Sequence, residues 1–261
     1  MKTHLSAMLA FLLSLTANAS DLTDVNEIVK KANLAAYYPK DDGRVQARMK
    51  IVDAKGNKQL RQFTILRKDI EDGGQQDMLV FFSRPTDVKG TVFRVEKKPG
   101  SDDNRWLYLP ALDLVKRISA GDKRTSFVGS HFFYEDVSGR NPSEDNFELL
   151  ATDGDFYSVK GVAKDRSSVE FAYYEAKIDK ATFLPMQVTF FNEQGNAQRK
   201  LSVLKTKLID GVTTVVHSKI ESLNDGSHTE MQFRRIAYDV GLPSSIFSER
   251  SLRNTPKKWL K

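Results

Sequence analysis

The feature that most constrains this chain is a period-two alternation of apolar and polar residues, cut at short intervals by turn residues. Val45, Ala47, Met49 and Ile51 alternate with Arg44, Gln46, Arg48 and Lys50. In an extended chain this puts all the apolar groups on one face, as in a half-buried strand. The same pattern recurs along the chain, with turns at Asp53–Asn57, Asp72-Gly73-Gly74, Asp153-Gly154, Asp210-Gly211 and Asn224-Asp225-Gly226-Ser227. The last of these is the clearest hairpin turn. Asp77 to Ser83 is apolar on both faces and predicts a strand covered on both sides. Counting segments gives roughly ten to twelve antiparallel strands in a meander. No strand-helix-strand rhythm appears, which argues against a parallel sheet.

Two segments stand outside this pattern. Asp21 to Tyr38 has Leu22, Val25, Val29, Ala32 and Ala36 at helical spacing, with Asp21 or Thr23 as a cap and Pro39 as a stop. Its apolar face must cover something. At the other end, Gly241 to Lys261 is short and basic, and Ile246, Phe247 and Leu252 are suited to dock it on the body. Before the helix, Lys2, the apolar run Leu5 to Leu15 and Ala17-Asn18-Ala19 have the form of a secretory signal peptide cut after Ala19. The apolar run is too short to span a bilayer. The expected organisation is a leader over residues 1–19 and a single domain over 20–261, exported to the periplasm. The 261 residues contain no cysteine, which removes disulfides, thiolate metal sites and a lipid anchor at the cleavage point. The expectation is a soluble monomer.

The sequence carries no G-x-S-x-G, no P-loop, no G-x-G-x-x-G and no H-E-x-x-H motif. His131, His217 and His228 lack ligand spacing, although His217 and His228 flank one hairpin. No metal, cofactor or catalytic residue is expected. The pairs Glu135-Asp136 and Glu144-Asp145 read as partners for Arg117, Lys123 or Arg124 rather than as an acid-base pair. The formal charge of +6 is spread along the chain, so nucleic acid is not an expected partner. Arg105, Lys116, Arg117, Lys123, Arg124 and Arg140 flank the richest aromatic stretch. Two roles are open for them: the wet face of two strands, or a basic rim that holds phosphate headgroups or an acidic partner. The consecutive Phe132, Phe133 and Tyr134 cannot all face one core. They form a packed plug, or leave apolar surface for a ligand, or both.

The stretch R-W-L-Y-L-P-A-L-D-L-V-K-R-I-S (Arg105 to Ser119), followed by S-F-V-G-S (Ser126 to Ser130) and F-F-Y-E-D-V (Phe132 to Val137), resembles the outer-membrane lipoprotein-sorting protein family, a LolA/LolB-like group. The late G-L-P-S-S-I-F (Gly241 to Phe247) agrees with it as well. The sequence departs from the family pattern at His131, where aspartate is common, and at Lys116, where arginine is more frequent. The resemblance implies a mainly β fold: a strongly curved antiparallel sheet, an unclosed barrel, with helices plugging its concave face. It implies an apolar cavity for lipid or lipoprotein acyl chains, carried towards the outer membrane. The expected lining is Met78, Val80, Phe82, Trp106, Tyr108, Phe132, Phe133 and Tyr134, with Arg105, Lys116, Arg117, Lys123 and Arg124 at the rim. The alternative is an accessory subunit of an RND-type inner-membrane transporter, with a filled core and no ligand of its own.

Overall fold

A computed structural model describes residues 21–260; the expected leader lies outside the described residues. The alternating segments become thirteen strands of one sheet, more than the expected ten to twelve. At one edge Pro110 opens a single 3-10 turn between two short neighbouring strands. The strands are β1 (Asp42–Val52), β2 (Lys58–Asp69), β3 (Gln76–Arg84), β4 (Val92–Lys97), β5 (Asn104–Leu109), β6 (Leu114–Ile118), β7 (Asp145–Asp153), β8 (Phe156–Ala163), β9 (Tyr173–Asp179), β10 (Pro185–Phe191), β11 (Ala197–Ile209), β12 (Val212–Ser222) and β13 (His228–Tyr238). Their order is β6-β5-β4-β3-β2-β1-β13-β12-β11-β10-β9-β8-β7, and the pairings are antiparallel. Two meanders therefore meet where β1 pairs with β13. The free edges β6 and β7 are consecutive in sequence but unpaired, so the barrel stays open. The segment between them, residues 119–144, crosses the concave side.

Register decides which face each residue takes. Paired residues share a face in an antiparallel ladder. Phe63 opposes Phe82 and Ala47, Val80 opposes Phe93, and Phe93 opposes Leu107. This inward set packs with Phe127, Phe132 and Tyr134 from the crossing segment into the largest apolar core. The outward set is covered too. Leu66, Leu79, Phe81 and Val92 pack under Leu242, Ile246, Phe247 and Leu252 of the C-terminal tail, as expected for a strand β3 that is apolar on both faces. Buried Asp42 fixes the start of that tail by accepting the backbone N–H groups of Val240 and Leu242, each at 2.7 Å. Arg94 fixes its middle by donating to the Phe247 carbonyl at 2.5 Å.

The first helix, α1 (Val25–Tyr37), is shorter than the sequence pattern suggested. Its cap is Asp24, not Asp21 or Thr23: Asp24 Oδ1 accepts the Asn26 N–H at 2.9 Å. This satisfies one of the first-turn donors that a helix leaves free. Ile28 and Ala32 are buried against Tyr157, Val159, Ala176 and Ile178 of β8 and β9. Thus α1 covers the concave face of one half of the sheet, and the crossing segment fills the other. No helix among the described residues is long and apolar enough to cross a membrane.

Candidate ligand cavity

The crossing segment is a plug built from aromatic rings and anchored by ions. Phe127 is fully buried and meets Phe82, Phe93 and Tyr134 at ring-centre distances of 5.6, 5.5 and 5.5 Å. After Phe132 the chain turns into a short helix, α2 (Tyr134–Ser138), whose first turn carries Glu135 and Asp136. Asp136 Oδ2 accepts the Phe133 N–H at 2.7 Å and so caps it. Glu135 has no exposed surface and meets Lys123 at 3.2 Å, Arg124 at 3.2 Å and Arg140 at 3.0 Å. Burial alone would raise its pKa. Arg140, Arg124 and Lys123 outweigh that and hold it down to about 2. Arg124 also reaches Glu170 at 2.5 Å, and Arg199 reaches Asp136, which ties the plug to the far meander. Arg140 grips Asp145 at the start of β7 at 2.7 Å. The Tyr174 hydroxyl donates to the same carboxylate at 2.8 Å. Its ring lies so close to Gly161 that a Cβ there would come within 2.3 Å of it.

Beyond the plug the concave face is not filled. A cavity of about 420 Å³ lies between α1 and the sheet. Val29, Ala32 and Ala36 of α1 form one wall. Ile65 and Met78 form a second, and Val188, Leu201, Val203, Val215 and Phe233 a third. Phe132 and Val137 of the plug close its floor. The lining is predominantly apolar, and its polar groups include Arg67, Gln76, Thr214 and Tyr238. The volume falls within the roughly 300–1,000 Å³ usual for small-ligand sites. A second, smaller cavity of about 300 Å³ sits behind the plug, lined by His131, Phe133, Glu170 and Arg199 among others. There His131 is held by Thr229 Oγ1 and Ser227 Oγ, both at 2.8 Å. Burial lowers its pKa, with Asp225 opposing. Among the described residues no group of three or more His, Cys, Asp or Glu could hold a metal ion.

Comparison with known proteins decides the family. A family model described as that of an uncharacterized protein matches residues 74–254, from just before β3 into the C-terminal tail. A crystal structure of a DUF1329 family protein from Desulfovibrio piger superposes with a TM-score of 0.78 at 27% identity, covering 87% of this chain and 98% of that one. The chain belongs to the DUF1329-like family. A domain assigned as outer membrane lipoprotein-sorting, from Vibrio parahaemolyticus, also superposes on this member at 0.78, with 25% identity over 87% of this chain and 97% of that one. A LolA superfamily protein from Nitrosomonas europaea shares the fold at 0.67 and 17% identity, covering 86% and 97%. The DUF1329-like chain is therefore an unclosed, mainly β barrel, a fold it shares with that LolA superfamily protein. No protein of curated function matches it.

The residues expected to line one cavity separate into four places. Met78 and Phe132 line the main cavity. Val80, Phe82 and Tyr134 are buried beneath or within the plug, and Phe133 faces the smaller cavity. Trp106 and Tyr108 must be corrected: both lie on the convex face under the tail. Alternation on β5 sends Arg105, Leu107 and Leu109 inward and the two large aromatics outward. There Arg94 stacks on Trp106 at 4.5 Å and Arg253 on Tyr108 at 5.6 Å. The basic rim also needs correction. Arg105, Lys123 and Arg124 are buried ion-pair and hydrogen-bond partners, Arg105 bonding Asp103 at 2.6 Å and Ser138 Oγ at 3.3 Å. Only Lys116 and Arg117 are exposed, on the edge strand β6 away from the cavity lining. The Glu135 and Asp136 partners are Lys123, Arg124, Arg140 and Arg199; Arg117 bonds Asn104 instead. His217 and His228 flank Glu230, at 3.1 and 3.9 Å. The wall formed by α1 and β10–β13, and Arg67, were not anticipated. Arg67 had left a mark: it is a basic residue in the apolar phase of β2, after Phe63 and Ile65.

Proposed function

We propose that this protein is a periplasmic carrier that holds a lipid, or the acyl chain of a lipoprotein, in the cavity beneath α1 and conveys it towards the outer membrane. The observation that carries this reading is the contrast within one concave face: aromatic packing on one side, and about 420 Å³ of apolar space on the other. A filled barrel would need no such space, and a catalyst would need converging reactive groups. Each methylene moved from water into a dry pocket gains about 0.8 kcal/mol, so even a short run of chain is held firmly. The 25% identical Vibrio parahaemolyticus domain, assigned to outer membrane lipoprotein sorting, supports the same class of cargo.

Loading and release require a cover that moves. The cover is α1. It is held at its ends by polar contacts: the Leu22 N–H donates to the Tyr157 hydroxyl at 3.0 Å, Lys180 meets Asp21 at 2.8 Å, and the Tyr38 hydroxyl donates to the Gly74 carbonyl at 2.9 Å. The Lys180–Asp21 pair is exposed and exchanges readily with water, whereas the Tyr38 bond is buried.

The test is binding of a neutral environment-sensitive fluorophore, N-phenyl-1-naphthylamine, to the leaderless chain. The expected result is saturable enhancement, abolished by Ala36→Trp, which places an indole in the cavity from α1. Enhancement that persists unchanged in a folded Ala36→Trp variant, or none in the unaltered protein, contradicts the reading.

A further inference from the structure

We propose that the cavity takes an amphiphile with an anionic head, its carboxylate or phosphate seated on Arg67. This rests on the carrier reading and narrows the class of cargo.

Three arginines contribute to the cavity lining: Arg67, Arg124 and Arg140. Two are neutralised. Arg124 pairs with Glu135, Asp136 and Glu170, and Arg140 with Glu135, Glu144 and Asp145. Arg67 is different. Its Nε is buried without a hydrogen-bond partner, and no ion pair reaches its guanidinium among the described residues. The other inward-phase cations close by are satisfied by the protein itself: Lys97 donates to the Ser138 and Gly139 carbonyls at 3.1 and 2.7 Å, and Arg105 pairs with Asp103. The residue as a whole is half-buried, and only its Nε is fully withdrawn from water. A cation partly withdrawn from water without a partner carries a cost that an arriving anion relieves.

The position suits a head group. On β2 the inward residues run from Phe63 against the plug, through Ile65 on the cavity wall, to Arg67 at the start of the adjoining strands. Arg67 stands opposite Gly43 on β1, which brings no side chain over it, and opposite Met78 on β3. Tyr238, across from Gly43, lines the same end, its hydroxyl 2.8 Å from that of Thr214. Asp69 is the carboxylate whose field reaches Arg67, yet its Oδ1 is taken by Gln76 Nε2 at 2.7 Å. Burial raises Asp69 to about 6 and lowers Arg67, opposite to what a formed ion pair would do. A guanidinium offers paired donors that match a carboxylate or a phosphate. A tail in the apolar space and an acid on Arg67 together describe a fatty acid or acidic phospholipid, rather than an acyl chain on an uncharged linkage.

The experiment displaces N-phenyl-1-naphthylamine from the leaderless chain at about pH 8 with two ligands of identical tail, hexadecanoate and hexadecan-1-ol. Hexadecanoate is expected to displace it at about tenfold lower concentration, the worth of one charge-assisted contact. Arg67→Met is expected to bring hexadecanoate to the potency of hexadecan-1-ol, the two ligands being compared within that variant; Arg67→Lys should keep part of the advantage. Equal potency of the two ligands in the unaltered protein overturns the head-group proposal while the carrier reading stands. Failure of the fluorophore to bind overturns both. If hexadecanoate has no advantage but inorganic phosphate raises the melting temperature of the unaltered chain and not of Arg67→Met, Arg67 is a free-anion site and the amphiphile proposal falls. Should Arg67→Met fail to fold, the comparison in the unaltered protein decides alone.

Discussion

The two halves of the concave face are built from the same sheet, yet one is closed and the other open. Under the plug, Phe127 lies among Phe63, Phe82, Phe93 and Tyr134 with no exposed surface. Under α1, small residues such as Ala32 and Ala36 face Val188 and Leu201 across space that nothing fills. Single strands cross the boundary: on β3, Val80 and Phe82 are packed while Met78 faces the cavity. The difference lies in what covers the sheet. Large rings anchored by buried ions make a filled wall; α1, seated through Ile28 on β8 and β9 and presenting Val29, Ala32 and Ala36 to the cavity, makes a cover. Stability should reside in the first and binding in the second.

Substitutions can break that division. The largest effect is expected for Phe127→Ala, about 3–5 kcal/mol in urea unfolding, because the surrounding rings cannot collapse into the void. Leu201→Ala, which enlarges space that already exists, should cost less than half as much; equal losses would show the two halves to be alike. Next comes Glu135→Gln, at about 3 kcal/mol, since it strands Lys123, Arg124 and Arg140 without their shared counter-ion. Its carboxylate is held below the ordinary 4.5, at about 2. The stability it supplies is therefore complete above about pH 4.5 and lost as pH falls through about 2, and Glu135→Gln should flatten acid unfolding in that window. Trp106→Ala should cost about 2 kcal/mol by uncovering the convex face, with fluorophore binding unchanged. Reduced binding would return Trp106 to the cavity. The smallest effect is expected for Asp69→Asn. Burial raises Asp69 to about 6 from an ordinary 3.8, so its charge opposes folding above about pH 6 and costs nothing below about pH 4. The variant should gain under about 1 kcal/mol at pH 7, screening by solvent included, and nothing near pH 4.

Much of the fold was legible because alternation and turn residues act locally. The strands, the covering helix and the tail docked through Phe247 follow from short stretches, whereas the unclosed sheet was implied by the family resemblance. What alternation does not supply is which face is inward. Trp106 and Tyr108 share a face by spacing alone, and they were assigned to the cavity side. Their cover, the tail from Val240 to Leu260, lies more than a hundred residues away. The basic residues misled for the same reason. Glu135-Asp136 and Glu144-Asp145 were legible as partners of Lys123 and Arg124, but Glu170, more than forty residues on, is brought to Arg124 only by the fold. Arg67 was visible as a charge in an apolar phase, but only the full set of neighbours shows that its Nε has no partner among the described residues.

The account turns on whether the space beneath α1 holds an acyl chain. Native mass spectrometry of the protein released gently from the periplasm of an expressing cell, followed by organic extraction, tests this most directly. The account predicts an added mass that extraction identifies as an acyl lipid, absent from Ala36→Trp prepared in the same way. A clean polypeptide mass, with no lipid above that of the Ala36→Trp control, would contradict it.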